Sequence, residues 1–466
     1  MGRKKTETTD LWKVALGSAG LTCLGLLFFS RPLINRVFDS WLRTLITDPY
    51  EENLWEFISA SNRTGLQKIV ENSLRSQEGR VIHRPFGSPK RFPNTDGLVF
   101  NIAQLSRLPT EKNIPIDTMV TLGPKAARPV TISMPLIISG MAYGLALSEK
   151  AKVALAKGAT LAGTATNTGE GPLLLSERRA AKYLILQYDR GGWNHKPEII
   201  KQADMVEVQF GHAATGGVAR RTEYHELPPK ARSLMGLKPG QPAVTRAHLP
   251  GVKNPKKDLP PLIARLRRLT GGAPIGAKIA AGKDLEKDLG ILLDAGVDFI
   301  SLDGAGAATK GSPPILQDDF GLPTVYAVNR AARFLEKQGV KKEVTLIASG
   351  RLATPGDFLK ILALGADAVY LGTVALFALA HTHILKALPW EPPAQVVFAQ
   401  GRYQDKLDVD KAAQDLANFL KSCNEEIKEG VRALGKTAVR QVDKKDLVAL
   451  DPVMARALKI PLASRA

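Results

Sequence analysis

Eight short β-rich runs, separated by helical or loop-like stretches, follow Pro129, and this alternation constrains the fold more than any other feature of the chain. The runs are Leu136 to Ser139, Thr160 to Gly163, Tyr183 to Gln187, Met205 to Gln209, Ile275 to Ile279, Phe299 to Leu302, Thr345 to Ser349 and Ala368 to Gly372. Strands that alternate with helices signal βα units and a parallel sheet. No early glycine-rich turn of dinucleotide-binding type is present, which favours a closed α/β TIM (β/α)8 barrel over an open sheet. Several intervening helices are legible. Lys283 to Ala295 carries Leu285, Leu289, Leu292 and Leu293 on one face, and Asp357 to Gly365 carries Phe358, Ile361 and Leu362. Thr354 reads as an N-cap, with Pro355 at the first helical position. The gap from Phe210 to Gly272 holds Pro228-Pro229, Pro239-Gly240 and Pro260-Pro261 and reads as an insertion over the barrel mouth.

A chain of 466 residues with 44% hydrophobic content accommodates a barrel of about 250 residues or more with extensions at both ends. The expected division is 1–47, an N-terminal segment; 48–129, an extension packing on the barrel; 130–436, the barrel; and 437–466, a C-terminal tail. Within the first segment, Val14 to Ser30 carries no charge and lies between Lys13 and Arg31. That length is at the short limit for crossing a membrane. The expectation is a single-pass anchor, with membrane lipid as a partner and the barrel in the cytoplasm; the competing readings are a cleaved signal peptide, against which Arg31 to Arg36 offers no small-residue cleavage site, and a buried soluble helix. Arg3, Lys4, Lys5 and Lys13 before the run and Arg31, Arg36 and Arg43 after it leave the orientation open.

The net charge of +19, from 64 Lys and Arg against 45 Asp and Glu, favours anionic partners. Aromatic residues are only 6% of the chain and do not interleave with a basic stripe, which argues against nucleic acid. Cys23 and Cys423 are the only cysteines, so neither a cysteine metal centre nor a disulfide framework is expected.

The reactive face of a TIM barrel lies at the C-terminal strand ends, and phosphates often sit after the last two strands. Ser349-Gly350-Arg351 and Gly372-Thr373 occupy those positions. Glycine lets the backbone approach an anion, Arg351 can pair with it, and the helix starting near Val374 would offer free N–H groups. Asp303-Gly304-Ala305-Gly306 follows the sixth run, where small residues admit a flat ring such as a flavin. Asp303 could instead cap a helix or pair with a lysine. Lys278 ends an apolar run and should meet an anion at the mouth, either a flavin that becomes negative on reduction or a substrate carboxylate. Asn167-Thr168-Gly169-Glu170-Gly171 places an amide, a hydroxyl and a carboxylate over the same mouth. Glu207 and Gln209 share one face of the fourth run, and His212 follows as a candidate proton donor.

Taken in order, Ile138-Ser139-Gly140-Met141-Ala142-Tyr143-Gly144, Asn167-Thr168-Gly169-Glu170-Gly171, Lys278, Asp303-Gly304-Ala305-Gly306 and Ser349-Gly350-Arg351 resemble the successive motifs of the central, FMN-binding domain of glutamate synthases. The resemblance implies that FMN contacts Ser139, Gly140, Met141, Asn167, Glu207, Lys278, Gly304, Gly306, Ser349, Gly350, Arg351, Gly372 and Thr373. It further implies an oxidoreductase reducing an imine formed from a 2-oxo acid and ammonia; the positions of the residues themselves assign Lys278, Glu170 and His212 catalytic roles and set Gln209 and Asp303 facing a small anionic substrate. A separate electron donor is a possible partner. The departures are specific. Where the family has an iron–sulfur cysteine motif after the eighth strand, Phe377 to His383 holds none, so no cluster is expected on this chain. A glutaminase-type nucleophile domain ahead of the barrel is likewise not expected on this chain. The family's lysine stands at Gln209, its glutamine at His212, and a second lysine near Thr215. A dehydrogenase or isomerase of another small anion, or a non-catalytic flavin scaffold, is the alternative.

Overall fold

A computed structural model describes residues 30–464, apart from 85, 214, 308–309 and 384–391. It separates into two compact units, one ending at Ile82 and one beginning at His83. In the first, the described chain is helical over 30–47, Trp55–Thr64 and Leu66–Glu78. Among the described residues no helix is long and apolar enough to cross a membrane, which overturns the expected single-pass anchor and the membrane placement drawn from it. The helix over 30–47 carries Arg31, Arg36, Asp39 and Arg43, charges that a hydrocarbon interior would not tolerate. Apart from Ser30, the uncharged run itself lies outside the described residues.

The second unit contains a ring of eight parallel strands: β1 (Leu136–Ile138), β2 (Ala165–Asn167), β3 (Tyr183–Tyr188), β4 (Met205–Gln209), β5 (Ile275–Ala280), β6 (Phe299–Asp303), β7 (Thr345–Ser349) and β8 (Ala368–Leu371). Their hydrogen-bonded order is β1-β8-β7-β6-β5-β4-β3-β2. The Thr164 hydroxyl donates to the Leu136 carbonyl and joins the two ends of that order. The result is a near-closed TIM barrel, as the strand count predicts.

Seven of the eight runs overlap the observed strands; the second does not. Thr160 to Gly163 is instead the end of helix α1 (Glu149–Ala162), which Ser148 caps by accepting the Ala151 N–H and which Gly163 terminates in the left-handed region at φ 74°. The alanine-rich stretch before it carries the helix through Thr160, and the strand forms two residues later. Helices α2 (Leu285–Asp294) and α3 (Pro355–Ala363) lie where their apolar faces predicted, and Thr354 and Asp357 form a capping box at the start of α3. Within the 210–272 gap, Arg220–Thr222 pairs with Ala243–Thr245, and Pro260 and Pro261 lie inside a helix, Pro255–Leu269.

Side-chain alternation divides the barrel interior into two layers. Ile137, Ala165, Ile185, Met205, Phe299, Ile347 and Ala368 form a lower apolar layer. An antiparallel hairpin, Val120–Leu122 with Val130–Ile132, adds Leu122, Val130 and Ile132 to it from below. Each fully buried large aliphatic or aromatic side chain in such a layer contributes about 1.5–3 kcal/mol. Two residues further along the strands, the same inward face carries Asn167, Gln187, Glu207, Lys278, Ser301, Ser349 and Tyr370. The alternation therefore stacks a polar layer directly on an apolar floor.

Candidate functional site

Glu207 is the hub of the polar layer. Its side chain is fully buried and accepts from Asn167 Nδ2 at 2.9 Å, Gln187 Nε2 at 2.7 Å and the Tyr370 hydroxyl at 2.8 Å. The pairing of Gln187 with Glu207 across β3 and β4 sets one of these contacts directly. Burial and the neighbouring Glu207 hold the Tyr370 phenol well above its ordinary pKa, so it stays a donor. Lys278, paired in register with Gln209 on one side and Ser301 on the other, reaches Asp303 Oδ1 at 3.3 Å, and the Ser349 hydroxyl donates to the same oxygen. Burial opposes the Lys278 charge, but Asp303 and Glu207 outweigh it and raise the pKa. Its ammonium also lies 5.1 Å from the Tyr370 ring centroid.

Gln209 Oε1, beside Lys278 in the ladder, is buried without a hydrogen-bond partner, while Ser301 on the other side of Lys278 shares a side-chain hydrogen bond with Tyr370. Unsatisfied polar atoms of this kind are rare in folded proteins and mark a place where another polar group belongs. Ser139, Gly140 and Met141 stand half-buried at the end of β1, with Gly140 against Asn167 and Gln187: a Cβ there would come within 2.8 Å of Asn167 Oδ1.

The structure brings the expected anion-binding residues together at the ends of β7 and β8. Gly350, at φ 132°, packs where a Cβ would meet the Thr324 hydroxyl at 2.3 Å and the Gly304 carbonyl at 3.0 Å. Thr324 in turn donates to the Gly350 carbonyl at 2.9 Å. Gly306 follows in the left-handed region, and Arg351 shares that conformation at φ 57°. The Arg351 guanidinium donates to the Lys90 carbonyl and is exposed. Gly372 is different, because a Cβ on it would meet nothing within 4 Å. It precedes helix α4 (Thr373–Ala380), whose first N–H groups lie ahead of the helix's own hydrogen-bond ladder. Open space in front of a helix N-terminus, rimmed by glycine backbone, is a cradle for a phosphate.

A second cluster covers the mouth from the loops. The Arg190 side chain is fully buried and binds Glu170 through Nε at 3.1 Å and Nη2 at 3.4 Å. Arg220 crosses from the insertion to donate to the Lys310 and Gly311 carbonyls, at 2.7 and 3.3 Å. His212 is hydrogen-bonded to the Thr215 hydroxyl at 3.2 Å. Burial, then Lys278, Arg220 and Arg190, push its pKa well below the ordinary imidazole value, so at neutral pH the ring is neutral and not a cationic acid.

Sequence reasoning missed Gln187, Tyr370, Arg190 and Arg220. Tyr370 and Gln187 sit in runs that read as apolar strand. Asp189-Arg190-Gly191-Gly192, however, carries polar residues and glycines just past β3, the same signal used at the other strand ends. Among the described residues, no group of three or more His, Cys, Asp or Glu is placed to hold a metal.

Comparison with known proteins fixes the lineage. The conserved region of glutamate synthase matches residues 95–437. The chain belongs to the glutamate synthase family. A glutamate synthase large subunit-like protein of Rhizobium meliloti (strain 1021) is 31% identical over 403 residues, covering 82% of this chain and 90% of that protein. The archaeal glutamate synthase [NADPH] of Archaeoglobus fulgidus is 29% identical over 314 residues, covering 67% of this chain but only 61% of its own length. Among solved structures, a mutant of a chimeric (S)-mandelate dehydrogenase aligns with a TM-score of 0.50 and 15% identity, over 76% of this chain and 88% of that one. A flavocytochrome b2 variant with sulfite bound aligns with a TM-score of 0.50 and 15% identity, over 78% and 80%. At that identity the structural likeness speaks to the fold, and it agrees with the barrel.

Proposed function

We propose that this family member is an FMN-dependent oxidoreductase of the glutamate synthase type, reducing an imine formed from a 2-oxo acid and ammonia. One observation carries the reading: a buried lysine and the unpartnered Gln209 Oε1 stand at the barrel mouth, and the strand end at Gly372 leaves open space for a phosphate. These residues fit FMN. The backbone of Gly350, Gly372 and Thr373, with Arg351, would hold its phosphate, while Ser139, Gly140, Met141, Asn167, Glu207, Lys278, Gly304, Gly306 and Ser349 would surround the ring. Bound there, FMN supplies two-electron hydride transfer.

The chain's own groups then have distinct tasks. Lys278, kept charged by Asp303 and Glu207, stabilises negative charge at the mouth. Glu207 fixes the amides of Asn167 and Gln187. Glu170, ion-paired with the Arg190 side chain, would relay a proton between solvent and substrate. Neutral His212 and Gln209 offer hydrogen bonds to substrate, and a separate protein supplies electrons. The absence of lysine at positions 209 and 215 favours one second reading, turnover of another small anion. The test is the visible spectrum of the purified full-length chain with added FMN. Flavin bands that survive gel filtration support the proposal, and a colourless protein that takes up no FMN contradicts it.

A further inference from the structure

If the two family lysines are missing, the charge that recognises an anionic substrate must come from elsewhere on this chain. Arg190 is fully buried, and while Nε and Nη2 engage Glu170, Nη1 has no hydrogen-bond partner. It faces Gly217, just past His212 and Thr215, where an ideal Cβ would stand 4.0 Å from Nη1. Arg220 reaches the same region from the insertion. It donates to the Lys310 and Gly311 backbone carbonyls of the β6 loop, and among the described residues no carboxylate is in salt-bridge contact with it. Both arginines act electrostatically on His212, which itself holds the Thr215 hydroxyl. His212, which departs from the family, and through it Thr215, thus lie within reach of two guanidinium groups.

Resting on the function proposed above, we propose that Arg190 and Arg220 bind the carboxylate of a 2-oxo dicarboxylic acid that lies remote from its oxo group, replacing the lysines absent at Gln209 and Thr215. Arginine suits this role because its planar fork matches a carboxylate with two parallel donors. An orphaned buried guanidinium N–H is costly, and a carboxylate oxygen satisfies it. Charges in the neighbourhood support the assignment. Burial lowers the Arg220 pKa, with Glu170 pulling the other way and Arg190 adding to the fall. Burial, then Arg220, brings Lys310 down to about 8. Both cations would gain from an arriving anion. The other charged groups facing the cluster are Lys278, Glu170 and, toward Lys310, Glu226.

The experiment is titration calorimetry on the full chain, with and without FMN, using 2-oxoglutarate and its monocarboxylate analogue 2-oxopentanoate. Wild type is expected to bind 2-oxoglutarate more tightly than 2-oxopentanoate. Arg220→Gln should weaken 2-oxoglutarate by at least about tenfold, leave 2-oxopentanoate within about twofold, and leave FMN content unchanged. Arg220→Lys keeps the charge without the fork and should fall between the two; it decides the matter if the glutamine variant does not fold. The proposal is overturned if wild type does not prefer the dicarboxylate, or if both folded variants bind it like wild type. Failure of the FMN reading shows separately, as a protein that takes up no flavin whatever it does with 2-oxoglutarate.

Discussion

Glu207 shows how one buried side chain organises a site. Three donors converge on its two oxygens, and all of them sit where alternation along a strand puts an inward residue. Glu207→Gln replaces one acceptor oxygen with an amide NH2 that faces a donor, leaving buried groups unsatisfied. The expected loss of stability is about 1–3 kcal/mol, read from chemical denaturation, and Asn167 and Gln187 should lose their fixed orientation. A variant as stable as wild type would show that the hub is not formed. The inward pairing of Glu207 with Gln209 was legible from their spacing alone. Gln187 and Tyr370 were not, because each is a single polar group within a run whose other residues read as core.

At the scale of elements, the loop after β3 illustrates charge managed by backbone. Asp189 accepts the N–H groups of Gly192, Trp193 and Asn194, and its carbonyl binds His195 Nε2 at 2.8 Å while the His195 ring stacks 3.6 Å from Tyr188. Burial lowers the His195 pKa to about 4 and raises that of Asp189 to about 6. For His195 the unfolded chain takes up a proton at higher pH than the folded one. Its contribution to stability is therefore complete above about 6.5 and is lost as pH falls toward about 4. Asp189 has the opposite sign, since the folded state takes up its proton first, so the two partly cancel in wild type. Comparing unfolding free energies of wild type and His195→Gln isolates the histidine. Between pH 6.5 and 4 wild type should lose stability more steeply than the variant; parallel curves would contradict the assignment. Element boundaries were the least legible feature of the sequence. Strand β2 was displaced because the helix before it ends only at Gly163, a stop signal that outranks the β-like character of Thr160 and Leu161.

Over the whole molecule, the barrel was readable because eight strands repeat one pattern, an apolar inward residue followed two positions later by a polar one at the mouth. That pattern also ordered the site, since binding groups must sit at the C-terminal strand ends for the apolar floor to remain intact. Contacts that cross between loops were not readable. The Arg190–Glu170 pair and the reach of Arg220 to the β6 loop join segments whose meeting depends on the closed ring. The N-terminal run from Val14 to Ser30 lies, apart from Ser30, outside the described residues, and no described helix is long and apolar enough to cross a membrane. The central claim is that the chain holds a phosphate-bearing flavin in front of α4, and Gly372→Leu tests it most directly. Gly372 lies at φ −103°, outside the left-handed region, with nothing within 4 Å of a Cβ, so the variant should fold and melt close to wild type. Its FMN affinity, measured by quenching of flavin fluorescence, should fall by at least about a hundredfold, the scale of losing several charge-assisted hydrogen bonds. A folded Gly372→Leu protein that binds FMN as tightly as wild type would contradict the account.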